Sequence, residues 1–462
     1  MENELFYDKK TVWDSMTEEQ ESAMMGYAEG YKAFLDAGKT ERDAVRYLTA
    51  KAEAKGFVPF TRGMAVKAGD KFYSLNRNKG IILTVIGKQP LSAGIHLTAA
   101  HLDAPRIDIR TVPLYEDSGM AMFKTHYYGG IKKYQWTTIP LELRGVVCVV
   151  TDEGVRSVDI SIGAKPEDPV FVITDLLPHL AAEQMNKTML KGIAAEQMNI
   201  LIGSKPSKNE DEKTDRIKLA VLEFLNKTYG IKEEDFLSAE LSCVPAFNAR
   251  DIGFDRTLIG AYGHDDRVCS YPAATALLDL TETPEHTCMA VLVDKEEIGS
   301  DGVTGMQSRF FDTLVGDLCR AQDVLFDECI EHSVCLSADV CNAYDPNYPE
   351  VSERRNDARI NCGLALVKYT GARGKSGASD ATAELMARMR YCFNKAGITW
   401  QTGQLGKVDQ GGGGTVAMFM ANRNIDTVDA GVPVLSMHAP FECIAKADLY
   451  MTYLGFGAFY NM

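Results

Sequence analysis

Imidazole and carboxylate groups stand where several apolar segments of this chain end. His101 and Asp103 follow residues 94–100 (GIHLTAA), Glu296 and Glu297 follow residues 287–293 (TCMAVLV), Asp339 follows residues 333–338 (SVCLSA), and His438 follows residues 432–437 (VPVLSM). Asp265 lies in the loop Gly263-His264-Asp265-Asp266-Arg267, which opens a helical stretch. Two imidazoles with three carboxylates (His101, Asp265, Glu297, Asp339 and His438) form a mixed nitrogen and oxygen set. Such a set suits zinc, cobalt or manganese rather than a soft or all-oxygen metal site. It exceeds one tetrahedral site and matches two divalent ions that share a carboxylate.

Each residue alone has an ordinary reading. Asp265 and Asp266 could cap a helix starting near Arg267, Asp339 could belong to a turn, and His438 could bond a backbone group. Paired glutamates are commonplace on a solvated face. Here, however, they follow a buried-type apolar run, and a buried carboxylate is costly without a cation. In His-x-Asp on an extended segment both side chains face one side. Asp103 can then bond the free imidazole N–H and fix the tautomer of His101. Adjacent glutamates at a strand end point apart, so one can hold a metal ion while the other handles water.

The elements that must position these groups can be read from the pattern. Thr17 and Gln20 make a capping box for a helix to about Gly38, and Thr40 caps a second, stopped by Gly56. Residues 80–87 and 94–100 read as strands. From residue 259 on, apolar strands at 287–293, 333–338 and 432–436 alternate with helical stretches at 268–281, 308–331, 381–396 and 415–422. That alternation predicts an α/β fold on a buried, largely parallel sheet, whose ligands lie at the carboxyl ends of strands. Residues 106–245 differ in character, with the aromatic and glycine-rich HYYGGIKKYQW (126–136), an alternating stretch at 141–150 and a solvated run at 205–216. They read as an inserted, mostly β domain. AAEQMN occurs at 181–186 and again at 194–199, too short to be a structural repeat. GARGKS (371–376) lacks the first glycine of a phosphate loop, since Tyr369 stands there. The glycine run 411–414 reads as a tight turn before a helix.

Composition excludes several function classes. The 462 residues are 45% hydrophobic and 24% charged, ordinary for a globular protein that can bury a large core. A net charge of −15 argues against nucleic acid or an anionic membrane as partner. No segment reaches the roughly 18 uninterrupted apolar residues of a spanning helix. The eleven cysteines show no CxxC spacing, so reduced, packed thiols are expected. Residues 1–5 are acidic with no basic region before an apolar stretch, so no secretory signal and a cytoplasmic location are expected.

These residues resemble a known family. AAHLDAPR (99–106), GHDDR (263–267), DKEEIGS (294–300), SADVCNAYDPNY (337–348) and SMHAPFE (436–442) are similar to motifs of the M18 metallopeptidases, the aspartyl aminopeptidase family, in the same order and across almost the whole chain. GKVDQGGGGTVA (406–417) is similar to the bacterial branch. The resemblance implies a three-layer α/β/α zinc-exopeptidase domain (phosphorylase/hydrolase-like) over residues 1–107 and 246–462. It implies an inserted β-rich dimerisation domain over residues 108–245 and a homo-oligomer, a dodecamer built from dimers. Its substrates would be peptides with a free N-terminus. It also implies that His101 and Asp339 bind one ion, Glu297 and His438 the other, with Asp265 bridging, Glu296 as general base and Asp103 orienting His101. Two departures stand out. Where the family pattern has a histidine reaching into a neighbouring subunit, this chain has Glu183, so that role is either lost or shifted to His179. Lys375, in GKSGAS (374–379), is the candidate basic group for an acidic first residue, and it stands slightly out of register.

The expected reaction is removal of an N-terminal residue, acidic (Asp or Glu) or neutral, by a water shared between two ions, with zinc, cobalt or manganese as the metal. Another co-catalytic zinc amide hydrolase, a carboxypeptidase or deacylase, is the nearest rival. A catalytically silent assembly protein on the same fold is the second.

Overall fold

The computed structural model describes residues 5–7, 9–209 and 214–462. Residues 1–4 of the acidic start, and residues 210–213 of the solvated run, lie outside the described residues. The chain divides into two compact units. The first takes the residues up to Ala104, Ala249–Met437 and Phe441–Met462; the second takes Pro105–Asn248 and His438–Pro440.

The first unit is built on a nine-stranded sheet. At its centre Ile95–His101 pairs in parallel with Thr287–Val293 on one side and Val334–Ser337 on the other, and Asp426–Gly431 continues in parallel. All residues of Ile95–His101 and Thr287–Val293 are buried. Alternate residues serve two cores. Cys288, Ala290 and Leu292 pack into one cluster with the N- and C-terminal helices, whereas Met289, Val291 and Val293 pack into a second with Phe311, Leu314 and Leu318. Helices therefore cover both faces, and the unit is an α/β/α sandwich.

The sheet edges depart from the expected parallel arrangement. Gly80–Val85 is antiparallel to both Lys71–Asn76 and Thr287–Val293, and Leu364–Val367 is antiparallel to Asp426–Gly431. The first reversal follows from a tight turn, in which Arg77 and Asn78 take φ values of 53° and 56°. Such a short connection can only join antiparallel neighbours.

The opening helices, Glu18–Ala37 and Glu41–Ala54, are capped by Thr17 and Thr40 as expected. Other expectations were displaced. The last sheet strand is Asp426–Gly431 rather than residues 432–436, of which Pro433–Val434 pairs with Cys341–Asn342 and Leu435 bridges Cys443. Asp426 and Asp429 hide that strand among polar residues. The buried Asp429 carboxyl accepts the Thr415 hydroxyl at 2.7 Å. The stretch 308–331 is two helices, Phe310–Gln322 and Phe326–Glu331, broken where Asp323 takes φ 56°. The C-terminal helix Lys446–Tyr460 is buried nearly all round and shows no polar stripe to announce it. All eleven cysteines are free, and all but Cys148 and Cys443 are buried. No helix of the described residues is long and apolar enough to cross a membrane.

The second unit is a seven-stranded, antiparallel sheet with one longer helix, Arg216–Tyr229. Its two AAEQMN copies fall in a short helix, Ala182–Met185, and a 3-10 turn, Ala195–Gln197, so the duplication builds no repeat.

His96 marks the opposite end of the strand that delivers His101. It is buried, stacked on His286 (centroids 4.4 Å apart) and Phe459 (5.2 Å). Burial first, then the charges of His286 and Arg388, lower its pKa to about 4. The unfolded chain, with an ordinary imidazole, binds more protons below neutrality. Stability held above pH 6.5 is therefore lost as pH falls toward 4. His96→Phe should remove about 2 kcal/mol of the stability difference between pH 7 and pH 5. Denaturant melts of both proteins at the two pH values check this, and equal pH dependence would refute it.

Candidate metal centre

His101 is the last residue of its strand, opposite Val293 of the neighbour. Past it the chain stays tied to the sheet, because the Leu102 N–H donates to the Val293 carbonyl at 2.8 Å. The Asp103 carboxylate, fully buried, has its Oδ1 3.3 Å from His101 Nδ1. The Asp103 carbonyl also lies 3.1 Å from that nitrogen. Nδ1 is thereby held as the donor, and Nε2 is turned inward as a ligand atom. The same carboxylate accepts the backbone N–H of Glu296 at Oδ1 and of Glu297 at Oδ2, both at 3.2 Å. One side chain thus sets the imidazole and the two glutamates together.

Asp265 comes from the loop before a buried helix. Gly263 takes φ 76°, and a Cβ there would lie 1.8 Å from Arg267 Nη1, so only glycine fits. Asp265 and Asp266 have non-helical dihedrals, and regular helix begins at Arg267. The Asp265 N–H donates to Glu442 Oε2 at 3.1 Å, and the His101 N–H donates to Asp266 Oδ2 at 3.2 Å. His264, the imidazole beside them, is engaged elsewhere. Its Nδ1 meets the Tyr31 hydroxyl at 2.8 Å and its Nε2 the Ile259 carbonyl at 3.2 Å. Burial lowers its pKa to about 3.

Asp339 leaves the end of Val334–Ser337, where the Ala338 N–H donates to the Ala99 carbonyl at 2.6 Å. A Cβ at Gly431 would fall 1.8 Å from the Asp339 carbonyl, so glycine is required beside it. His101, Asp265 and Asp339 each bring a donor atom within 4.8 Å of the others. Asp265 and Glu297 approach within the same limit. His101 Nε2 lies 3.1 Å from Asp265 Oδ1, 4.0 Å from Asp339 Oδ1 and 3.9 Å from Glu296 Oε2. His438 falls in the second unit, at φ 65°, where its Nδ1 meets the Gly130 carbonyl at 2.7 Å.

The electrostatics fit divalent cations. Burial, reinforced by Asp266, raises the Asp339 pKa well above its usual range, with Glu296 and Asp265 adding and His101 opposing. Asp266 is raised for the same first reason, burial. Burial alone would lower the pKa of His101, but bonds to Asp103 and Asp265 outweigh it, and the imidazole titrates well above its ordinary value. Carboxylates that push one another's pKa upward are those a bound dication would draw back to the ionised form.

The aminopeptidase I zinc metalloprotease (M18) family model matches residues 34–460. The chain belongs to the M18 family. The probable M18 family aminopeptidase 1 of Clostridium acetobutylicum is 46% identical over 469 aligned residues, covering 100% of both chains. The crystal structure of the M18 aminopeptidase from Thermotoga maritima superposes with a TM-score of 0.93 at 42% identity, covering 98% of this chain and 99% of that one. The S. cerevisiae mApe1 dodecamer gives 0.77 at 21% identity, covering 94% and 96%, a likeness of fold. This M18 chain is a zinc metalloaminopeptidase, and the family resemblance read from its motifs holds across its length.

The remaining candidates of this enzyme lie elsewhere. The Lys375 ammonium pairs with Asp380 Oδ2 at 2.8 Å and sits over the Tyr369 ring at 3.9 Å. His179 is exposed in the turn Pro178–Leu180, and Glu183 is exposed in Ala182–Met185 of the second unit. Residues that support the site were missed in the sequence. Glu442, Asp266 and Asp294 are all buried. Each stands inside a motif already noted; only Glu442 is flanked by apolar residues, whereas Asp266 and Asp294 sit beside Arg267 and Lys295 and carry no local signal of burial.

Chelation of divalent ions should lower the melting temperature, because binding to the folded state alone stabilises it, and added Zn²⁺ should restore it. In Asp339→Ala the Zn²⁺-dependent rise should shrink by more than half. Differential scanning fluorimetry reads both, and an unchanged rise in the variant would remove Asp339 from the ligand set.

Proposed function

We propose that the enzyme removes N-terminal residues with two divalent ions, most simply Zn²⁺, held in each subunit. His101 and Asp339 would hold one ion, Glu297 and His438 the other, and Asp265 would be shared. The observation that carries this reading is the Asp103 clamp: one buried carboxylate fixes His101 Nδ1 and the Glu296 and Glu297 amides together.

When bound, the ions would lower the pKa of water and polarise the scissile carbonyl. The chain supplies the rest. The Glu296 side chain is 20% exposed, while those of Asp103, Asp265 and Asp339 are 0%, 5% and 9% exposed. Glu296 is open to substrate and water, and with Glu297 assigned to an ion it accepts the water's proton and returns it to the leaving amine. The acidic surroundings would bind the substrate's free α-ammonium group, which limits cleavage to the first residue.

Selectivity follows from Lys375. Its ammonium shares Asp380 with Lys368, so two ammonium groups face one carboxylate and the cluster keeps one net positive charge. That remaining charge would favour an acidic first residue, Asp or Glu, over a neutral one such as Leu. The second unit would mediate dimer contacts in a homo-oligomer, consistent with the dodecamer of the S. cerevisiae relative. His179 would take the inter-subunit role at the turn before Glu183. A cytoplasmic location accords with eleven free cysteines.

The test is hydrolysis of Asp, Glu, Leu and Lys nitroanilides and their N-acetylated forms with Zn²⁺, Co²⁺ or Mn²⁺. Only free-amine substrates should be cleaved, Asp faster than Leu, and Glu296→Gln should retain its ions while losing at least about a hundredfold in turnover. Cleavage of blocked substrates, or a fully active Glu296→Gln, would overturn the assignment.

A further inference from the structure

The loop that presents Glu296 and Glu297 has little regular structure of its own. Lys295, Gly299, Ser300 and Gly302 all take positive φ, from 61° to 98°. Apart from the turn Glu296–Ile298, its shape depends on what anchors it. On the metal side the anchor is Asp103. On the other side it is Asp294, which is fully buried.

Asp294 closes the loop at its base. Its N–H donates to the Thr304 carbonyl at 3.2 Å, and its Oδ2 accepts the Thr304 hydroxyl at 2.7 Å. Lys79 Nζ lies 3.4 Å from the same oxygen and 3.0 Å from Glu41 Oε1. Lys295 Nζ lies 3.6 Å away, with its side chain 25% exposed. Lys79 (7% exposed) is thus the buried cation between two buried carboxylates, Glu41 (4%) and Asp294 (0%). It stands at the tight turn that reverses the sheet edge, and that turn touches the loop a second time. The Asn76 side-chain amide donates to the Val303 carbonyl at 2.8 Å.

We infer that Lys79 is a positioning residue for the general base, acting through Asp294 to hold the loop that aims Glu296. The inference rests on the assignment of Glu296 as base. Asp294 is two residues from Glu296 along the chain, and the Asp103 clamp fixes the intervening backbone from the far side. A buried carboxylate stripped of its buried cation moves toward solvent or takes up a proton. Either response loosens the Lys79–Asp294–Thr304 closure and turns Glu296 without removing any proposed ligand. Glu41 is a second partner of Lys79 and a like charge that raises the pKa of Asp294, so its removal leaves the Lys79–Asp294 link in place.

A double-mutant cycle separates positioning from bulk stability. Lys79→Met and Asp294→Asn should each lower kcat about tenfold, with KM within about twofold and the metal content unchanged. The double variant should be no worse than the poorer single, because both break one link. Glu41→Gln should lower the melting temperature yet keep kcat within about twofold. Asp294→Asn retains an acceptor for Thr304 and carries the test should Lys79→Met not fold. Losses that multiply in the double variant, that appear in KM or metal content, or that occur equally in Glu41→Gln would overturn the inference, as would unchanged kcat. An inactive wild type, or an active Glu296→Gln measured alongside, would instead indict the assignment of the base.

Discussion

Carboxylates gathered at the carboxyl end of a buried sheet repel one another and lose their hydration. Asp103, Asp265, Asp266 and Asp339 are each no more than 8% exposed, and they crowd around His101. The fold can keep them there only with cations to bind and with backbone donors placed beforehand. Asp103 answers the second need through two amides and an imidazole. Zinc, the metal of the M18 family, answers the first. Everything else in the first unit can be read as scaffolding for this compromise.

The scaffold is stiff where the donors leave it. His101 and Asp339 depart from adjacent parallel strands whose side chains feed two separate cores, so neither strand can shift without disturbing both faces. The loops between are set by positions that reject larger residues, Gly263 beside Arg267 and Gly431 beside Asp339. Glu296, the acid proposed to move protons, sits on a loop held by Asp103 at its own amide and by Asp294 and Thr304 at its base. Rigid ligands and a supported but more open base are a sensible division, since ligands must not move and a proton carrier must meet its substrate.

Much of this was legible in the sequence because burial leaves a pattern. Cys288–Val293 is an uninterrupted apolar run and Ile95–His101 is buried throughout, and imidazoles and carboxylates at the ends of such segments stand out. The strand Asp426–Gly431 was missed because two aspartates break its apolar run, and one of them is satisfied by Thr415, which no local pattern reveals. The helix Lys446–Tyr460 was missed for the opposite reason, being buried on nearly every side. At the site, residue types and order identified the donors, while the supporting partners are long-range. Glu442 meets Asp265 across 177 residues, and Asp103 meets Glu296 across 193. Lys375 shows the converse limit. A basic residue in a promising motif proved to be paired with Asp380, five residues on.

The central claim is that His101, Asp265, Glu297, Asp339 and His438 hold two ions that share one carboxylate. Anomalous diffraction at the zinc edge from crystals of the zinc-loaded enzyme tests it most directly. The account predicts two peaks in each subunit, one against His101 and Asp339 and one against Glu297 and His438, with Asp265 touching both. A single peak at full occupancy, or a second peak away from Glu297 and His438, would contradict it.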